Sequence, residues 1–322
     1  MLKVSIIMPS YNKAKYISEA INSVINQTYT NWELIIVDDY SNDDSQEIIN
    51  SFSSKFDNIK AYFNPENKGA NYCRNFGIEN AKGIYIVFLD ADDLLTIRCI
   101  EDRMNVMNKN NTLDFCVFTM GVFNKKIGDS NLEWKPTSKS PLNDFLFHQL
   151  PWAIPQPIWK KDFLCSLDGF NQDFVRMQDV ELHTRALLID HVLFKQIVDK
   201  PDCYYRIDED RKIFNKFNFI SLRIDSTILY VQRFKFLPMK QRKYLIGTIY
   251  ETFLQLVFTL KKQQITKVEF EILKKKLFNQ SMSLTKIQKI IFCCSQFYNF
   301  NLFRVKGFNR FFKYLILFNT TF

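Results

Sequence analysis

Short apolar runs alternate with helical stripes through the first 120 residues. Val4–Met8 is an apolar run stopped by Pro9, and Ala14–Gln27 carries apolar residues at 16, 17, 20, 21, 24 and 25, the spacing of one helix face. The unit recurs. Trp32–Val37 predicts a second strand, Ser45–Phe56 a helix, Ile59–Phe63 a third strand and Gly69–Ala81 a helix broken off by Gly83. Ile84–Leu89 is the most apolar strand of the set, followed by a helix over 94–109 and a strand over 115–120. Such alternation predicts an α/β fold with a mostly parallel sheet covered by helices.

The pattern then changes twice. Between 121 and 160 five prolines break it up, with Trp134, Trp152 and Trp159 among them, and the segment reads as irregular. A helix is predicted over 179–190 and a late strand over 192–198. From about 215 glycine and proline nearly vanish, apolar residues recur at spacings of three and four, and Lys and Arg fill the gaps, predicting amphipathic basic helices. This divides the chain into 1–214 and 215–322.

Charge sharpens that division. Residues 215–322 hold 19 Lys and Arg against four acids, whereas 1–214 hold 24 basic and 30 acidic residues. A helical region with so little internal counter-charge predicts an anionic partner. Its closing stretch, Phe308–Phe318, mixes Arg and Lys with Phe, Leu and Ile as a helix lying in an anionic headgroup layer does; a helical bundle with a solvated lysine face is the plainer alternative. No recognisable RNA-binding motif occurs, so no nucleic-acid partner is expected. The seven cysteines lack metal-ligand spacing and sit among apolar neighbours, which predicts a reducing compartment. The N-terminal apolar stretch is too short for a secretory signal, and no run of about 18 apolar residues occurs. Together these predict a cytoplasmic protein, peripheral at the inner face of the plasma membrane if the basic region binds lipid.

Candidate chemistry lies at the strand ends. In a parallel α/β sheet, ligands bind where strand C-termini meet helix N-termini. Asp38-Asp39 follow the second strand, and Asp90, Asp92 and Asp93 follow the fourth. Carboxylates converging from two strands repel one another unless donors or a hard divalent cation compensate them. Asp38 or Asp93 capping the next helix is the simpler alternative for either alone.

These segments resemble the family 2 inverting glycosyltransferases of GT-A fold. The resemblance rests on Ser5–Asn12, Ala20–Tyr29, Trp32–Asp39, Asn67–Gly69 with Arg74–Gly77, and Phe88–Asp93, and it covers about residues 3–210. It implies a nucleotide-sugar-binding half over 1–120 and an acceptor side over 121–214. Pro9, Tyr11 and Asp38 would hold the base and ribose of the donor, Arg74 its nucleotide end, and Asp90 the ribose. Asp92 would ligate Mg²⁺ or Mn²⁺ on the diphosphate, where the metal acts as a Lewis acid, with Asp93 and Asp208 as weaker ligands. Leu167–Phe170 and Met177–Arg185 resemble the segments that carry the general base, which makes Asp179 that base and Glu181 the next candidate. Asp168 and Gln178 depart from the family pattern, and Asp179 also suits a helix cap. Trp152 and Trp159 suit stacking on sugar rings or core packing. His183 reads as a packed histidine.

The resemblance therefore implies an inverting, metal-dependent hexosyltransferase acting from a nucleotide-diphosphate sugar, UDP-linked, onto a saccharide or lipid-linked acceptor in bacterial surface-polysaccharide synthesis. Two alternatives stand beside it. A sugar-nucleotide nucleotidyltransferase would need a glycine-rich phosphate loop, yet no glycine precedes position 69. A non-catalytic nucleotide-sugar-binding relative is favoured only by Gln178.

Overall fold

The computed structural model describes residues 3–207 and 215–280, together with Leu315 and Leu317. The predicted strand–helix units form in order: β1 (Val4–Ser10), α1 (Ile17–Ile25), β2 (Trp32–Asp38), α2 (Ser45–Ser53), β3 (Ile59–Phe63), α3 (Ala70–Asn80) and β4 (Tyr85–Phe88). All seven residues of β2 and all four of β4 are buried, which is why both read as continuous apolar runs rather than as alternating ones. Helix α1 buries Ile17, Ala20, Ile21 and Val24, the predicted stripe.

The chain continues through β5 (Leu94–Leu95), α4 (Cys99–Lys109), β6 (Phe115–Val117), β7 (Met120–Phe123), β8 (Glu133–Trp134), α5 (Pro141–Leu146), β9 (Pro157–Lys160), α6 (Lys161–Ser166), α7 (Gln178–Leu188), β10 (Phe194–Gln196) and β11 (Cys203–Arg206). A seven-stranded sheet has the order β10-β6-β9-β4-β1-β2-β3, with β9 its only antiparallel member. A four-stranded sheet has the order β5-β11-β7-β8.

Several predictions of local structure are corrected here. The segment 121–160 is not irregular throughout: it supplies β9, an interior strand between β4 and β6. Its proline hid it, but Pro157 occupies the first strand position, where a missing N–H is tolerated. Just before it, the buried Gln156 side chain donates to the carbonyls of Phe118 (2.7 Å) and Trp134 (3.0 Å). The strand predicted over 115–120 is two strands, β6 and β7, that enter different sheets. The helix predicted from 94 starts at Cys99, because Leu94 and Leu95 pair with β11. Trp152 and Trp159 are fully buried and stack in a cluster with Phe115, Phe163 and Phe194, so they are core and cannot face a sugar.

Residues fall into two compact units. The first comprises Met1–Lys139, Pro151–Gln172 and Arg185–Asp210; the second comprises Ser140–Leu150, Asp173–Thr184 and Arg211–Phe322. The second therefore takes in two segments that precede the change in composition at 214.

Among the described residues, the second unit is helical: α8 (Lys216–Phe234), α9 (Met239–Arg242), α10 (Leu245–Lys261) and α11 (Lys267–Gln280) as predicted from 215 onward, together with the start of α7 and with α5, a helix inside the segment read as irregular. Helix α10 is apolar nearly all round and is buried accordingly, with Gly247 packed so closely on Phe147 that a Cβ there would lie 2.2 Å from the ring. Buried hydroxyls pair within this unit, Thr227 with Thr252 at 2.8 Å and Thr184 with Tyr230 at 2.6 Å. The predicted closing helix, Phe308–Phe318, lies outside the described residues apart from Leu315 and Leu317.

Candidate active site

Strand order fixes where the first unit can hold a ligand. From β1 the chain proceeds to β2 and β3 on one side, whereas β4 lies on the other. The crevice beyond the C-termini of β1 and β4 is therefore the topological switch point of the sheet, the place where ligands bind in this architecture. Two loops meet there, Tyr11–Lys13 after β1 and Asp90–Asp93 after β4, and each of the two leading acids faces a cation. Asp90 is paired with Arg74 at 2.7 Å, and Asp92 with Lys13 at 2.5 Å.

The two pairs differ in surroundings. The Asp90 side chain is 34% exposed, whereas Arg74 is buried on α3 with its guanidinium 5.3 Å from the centre of the Phe170 ring. Asn75, next on α3, holds that ring's backbone from both sides, accepting from the Phe170 N–H and donating to its carbonyl at 2.7 Å each. A Cβ on Gly169 would sit 2.5 Å from the Asn75 Oδ1, and both Asp168 (φ 57°) and Gly169 (φ 62°) are left-handed. Asp tolerates that conformation better than most residues, which accommodates the departure at 168. In the second pair the burial is reversed: the Asp92 side chain is 2% exposed and the Lys13 side chain 26%.

The Asp90–Asp93 turn is fastened by Arg206. The Arg206 backbone N–H donates to Asp93 Oδ1 (2.9 Å), its Nε to the Asp92 carbonyl (2.8 Å), and its Nη2 to Glu19 on α1 (2.5 Å). The guanidinium lies between the rings of Tyr16 and Phe123, at 4.5 and 4.3 Å. Asp93 is thus part of the fastening.

Asp38 ends β2, fully buried. Its carboxylate accepts from the Ser41 N–H (2.9 Å), the Ser41 hydroxyl (2.6 Å) and Gln46 Nε2 (3.0 Å). All three donors come from Ser41 and Gln46, between β2 and the first turn of α2, so the buried carboxylate shapes that loop. Asp39 closes the other side of the loop, accepting from Asn64 Nδ2 and the N–H groups of Lys68 and Gly69, all at 2.8 Å. Tyr11 is 48% exposed, the condition for stacking on a flat ligand, and Pro9 is part-buried. Near this loop, burial and then the Asp39 charge push the Cys73 thiol up to about 12, which removes it as a nucleophile.

In the second unit, Asp179 stands in the first turn of α7 and its carboxylate accepts from the Val180 N–H at 2.9 Å. Glu181, the next base candidate, is corrected: it is buried and paired with Arg233 at 2.9 Å, leaving it no access to a hydroxyl proton. His183 is a packed histidine as expected, against Phe145 at 5.2 Å, with burial pressing its pKa down to about 3. Asp208 lies outside the described residues.

Among the described residues no three His, Cys, Asp or Glu side chains converge as a metal cage. The hard oxygens on one turn, Asp90 and Asp92, instead suit a cation that takes one or two carboxylates and completes its shell with substrate phosphates, as Mg²⁺ does. Residues missed in the sequence reading are Lys13, Asn75 and Arg206, whereas Asp39 was named among the strand-end acids without a role of its own. Lys13 had a local signal, two positions after Tyr11 in the same turn; Arg206 contacts Asp93 across 113 residues and had none.

Residues 5–158 match Glycosyl transferase family 2. A relative from Escherichia coli, the UDP-Glc:alpha-D-GlcNAc-diphosphoundecaprenol beta-1,3-glucosyltransferase WfgD, is 44% identical over 108 residues, 34% of this chain and 42% of that protein. Among solved structures, Staphylococcus aureus TarS 1–349 in complex with UDP-GlcNAc aligns with TM-score 0.56 at 17% identity over 95% of both chains. The mannosyltransferase PcManGT from Pyrobaculum calidifontis, in complex with GDP-Man and Mn²⁺, aligns with TM-score 0.57 at 14% identity over 98% of this chain and 84% of its own. At such identities the likeness is one of fold, and it bears out the expected mostly parallel GT-A sheet followed by a helical region. The chain spans 42–60% of the length of the first curated relatives it matches.

Proposed function

We propose, from the match of residues 5–158 to glycosyl transferase family 2, that the chain is an inverting, metal-dependent glycosyltransferase that moves a sugar from a UDP-sugar to a saccharide or lipid-linked glycan in cell-surface polymer synthesis. The observation that carries this reading is the acid-bearing turn Asp90–Asp93 at the β1/β4 switch point, with Asp90 faced by Arg74 and Asp92 by Lys13. Such a crevice suits a ligand with a flat base, a ribose and a diphosphate.

In this reading Tyr11 stacks on the base beside Pro9, Asp38 exchanges one of its loop donors for the base imide, and Asp90, held by Arg74, accepts from the ribose hydroxyls. Asp92 would hold Mg²⁺ or Mn²⁺, with Asp93 secondary because Arg206 occupies one of its oxygens. A cation bound there supplies positive charge to the diphosphate as it leaves. Lys13 must give up Asp92 for that, and its ammonium is then available to a phosphate oxygen. Asp179 takes the proton of the attacking acceptor hydroxyl; its place in the first turn of α7 favours the ionised form that a base needs. The names of WfgD and TarS support a UDP-linked donor, and that of WfgD a lipid-diphosphate acceptor. A lipid-linked acceptor and the basic region 215–322 together support a station on an anionic membrane at the cytoplasmic face.

Nucleotide release across a panel of UDP- and GDP-sugars with Mn²⁺ tests the reading. Asp179→Asn is expected to lower kcat by at least 100-fold, the usual scale of general-base catalysis, while calorimetric donor affinity stays within about threefold. Loss of donor affinity with kcat retained would make Asp179 a donor contact.

A further inference from the structure

The turn between α8 and α9 presents apolar side chains to water in a basic setting. Phe236 is 82% exposed and Met239 53%. Lys235 and Lys240 are exposed beside them, and Lys243 is half-buried one turn on. Between Asp225 and Glu251 the sequence holds five basic residues and no acid, and of these Arg233 is taken by Glu181.

The turn is also built to keep Phe236 outward. Leu237 N–H donates to the Phe234 carbonyl at 3.1 Å, and the Pro238 carbonyl accepts from both Gln241 and Arg242 at 2.9 Å, so the backbone is closed on each side of the exposed ring. Pro238 at the N-terminal boundary of α9 limits φ there. The Lys235 ammonium lies 5.0 Å from the Phe236 ring centre. Phe234, two residues earlier, is buried against Tyr230, so the chain places one phenylalanine in the core and sends the next away from it.

We propose that this turn is the contact between the chain and an anionic lipid bilayer: Phe236 and Met239 enter the boundary between headgroups and acyl chains, and Lys235, Lys240 and Lys243 meet the lipid phosphates. The chemistry is that of interfacial anchors, in which apolar insertion and charge act together. The inference rests on the reading that the chain works at a membrane, and it moves the contact from the chain's closing helix to a turn inside the second unit. A single-stranded RNA would use the lysines and could stack a base on Phe236, but the exposed Met239 beside the ring suits acyl chains rather than bases.

Co-sedimentation of the full chain with phosphatidylcholine vesicles, with and without 30% phosphatidylglycerol, tests it, and nucleotide release is measured separately without lipid. The wild-type chain is expected to bind the anionic vesicles and to weaken, without vanishing, at high salt. The K235Q/K240Q/K243Q variant is expected to bind about 100-fold more weakly at low salt, from roughly fivefold per cation. The F236S/M239S variant is expected to bind at least tenfold more weakly at any salt, since a buried Phe alone contributes that much. Circular dichroism and lipid-free nucleotide release should be unchanged in both. Absence of vesicle binding, or binding unaltered in both variants, overturns the assignment. So does binding that salt abolishes and F236S/M239S leaves intact, which would mark a general polyanion surface. Loss of nucleotide release in the wild type would instead count against the transfer reaction.

Discussion

Replacing Lys13 by Met should destabilise the metal-free protein and, at the same time, tighten its hold on divalent cations. Lys13→Met keeps much of the stem and removes the ammonium 2.5 Å from Asp92. Asp92 is then a carboxylate 2% exposed that has lost the Lys13 ammonium. Removing one partner of a fully buried pair costs about 3–5 kcal/mol. Lys13 is a quarter exposed at the mouth of a crevice, so water recovers part of this, and the expected cost is about 2–3 kcal/mol. For a chain of this size that lowers Tm by about 4–10 °C. A divalent cation reverses the sign: in the wild type it must displace the ammonium, in the variant it meets a carboxylate that no longer has that ammonium. Mn²⁺ should therefore bind about tenfold more tightly to the variant, which adds about 1.4 kcal/mol to the stabilisation at a fixed excess of metal. Scanning calorimetry with and without Mn²⁺, and calorimetric titration of Mn²⁺ in the presence of UDP, read the two effects. A variant as stable as wild type with unchanged Mn²⁺ affinity would show that Lys13 and Asp92 are not coupled and that the cation does not use Asp92.

Asp92→Asn should abolish transfer while the fold, read by circular dichroism, survives, because the amide keeps the shape and loses the charge; near wild-type turnover at saturating Mn²⁺ would sink the metal assignment. His183 has its pKa lowered to about 3 by burial. Its folded form therefore binds fewer protons than the unfolded form between about pH 6.5 and 3, and stability falls as pH falls through that window, by about 2 kcal/mol from pH 6.5 to pH 5. His183→Leu should remove that component of the slope in urea unfolding at pH 7 and pH 5, and an unchanged slope would assign the acid loss elsewhere. Asp202→Asn breaks a bidentate pair in which Arg103 is wholly buried, with Nε–Oδ2 at 2.7 Å and Nη2–Oδ1 at 2.8 Å. It should cost about 3–5 kcal/mol, read as a lowered denaturation midpoint, whereas a cost below 1 kcal/mol would mean that the guanidinium finds another partner.

What the amino-acid order determined by itself was the set of elements whose signals are local. Strands β1 to β4 and their helices were legible because each is an apolar run or a 3.6-residue stripe bounded by a break, and the acids at positions 38 and 90–93 were legible because they directly follow such runs. That they share one crevice is an expectation from general strand chemistry. Tertiary structure decided everything that needed a distant partner. Pro157 concealed β9, since only the sheet shows that it starts a strand needing no N–H there. Trp152 and Trp159 could be placed only by finding Phe115 and Phe194 beside them. Lys13 reaches Asp92 across 79 residues and Arg206 reaches the Asp92 carbonyl across 114, and no pattern in the chain encodes such a meeting. The exposure of Phe236 belongs to the same class. A run of Phe-Lys-Phe-Leu says that apolar and basic residues alternate, but which ring enters the core is decided by how α8 ends and where its neighbours leave room. Local signals report what one segment prefers, and burial and pairing are properties of segments brought together.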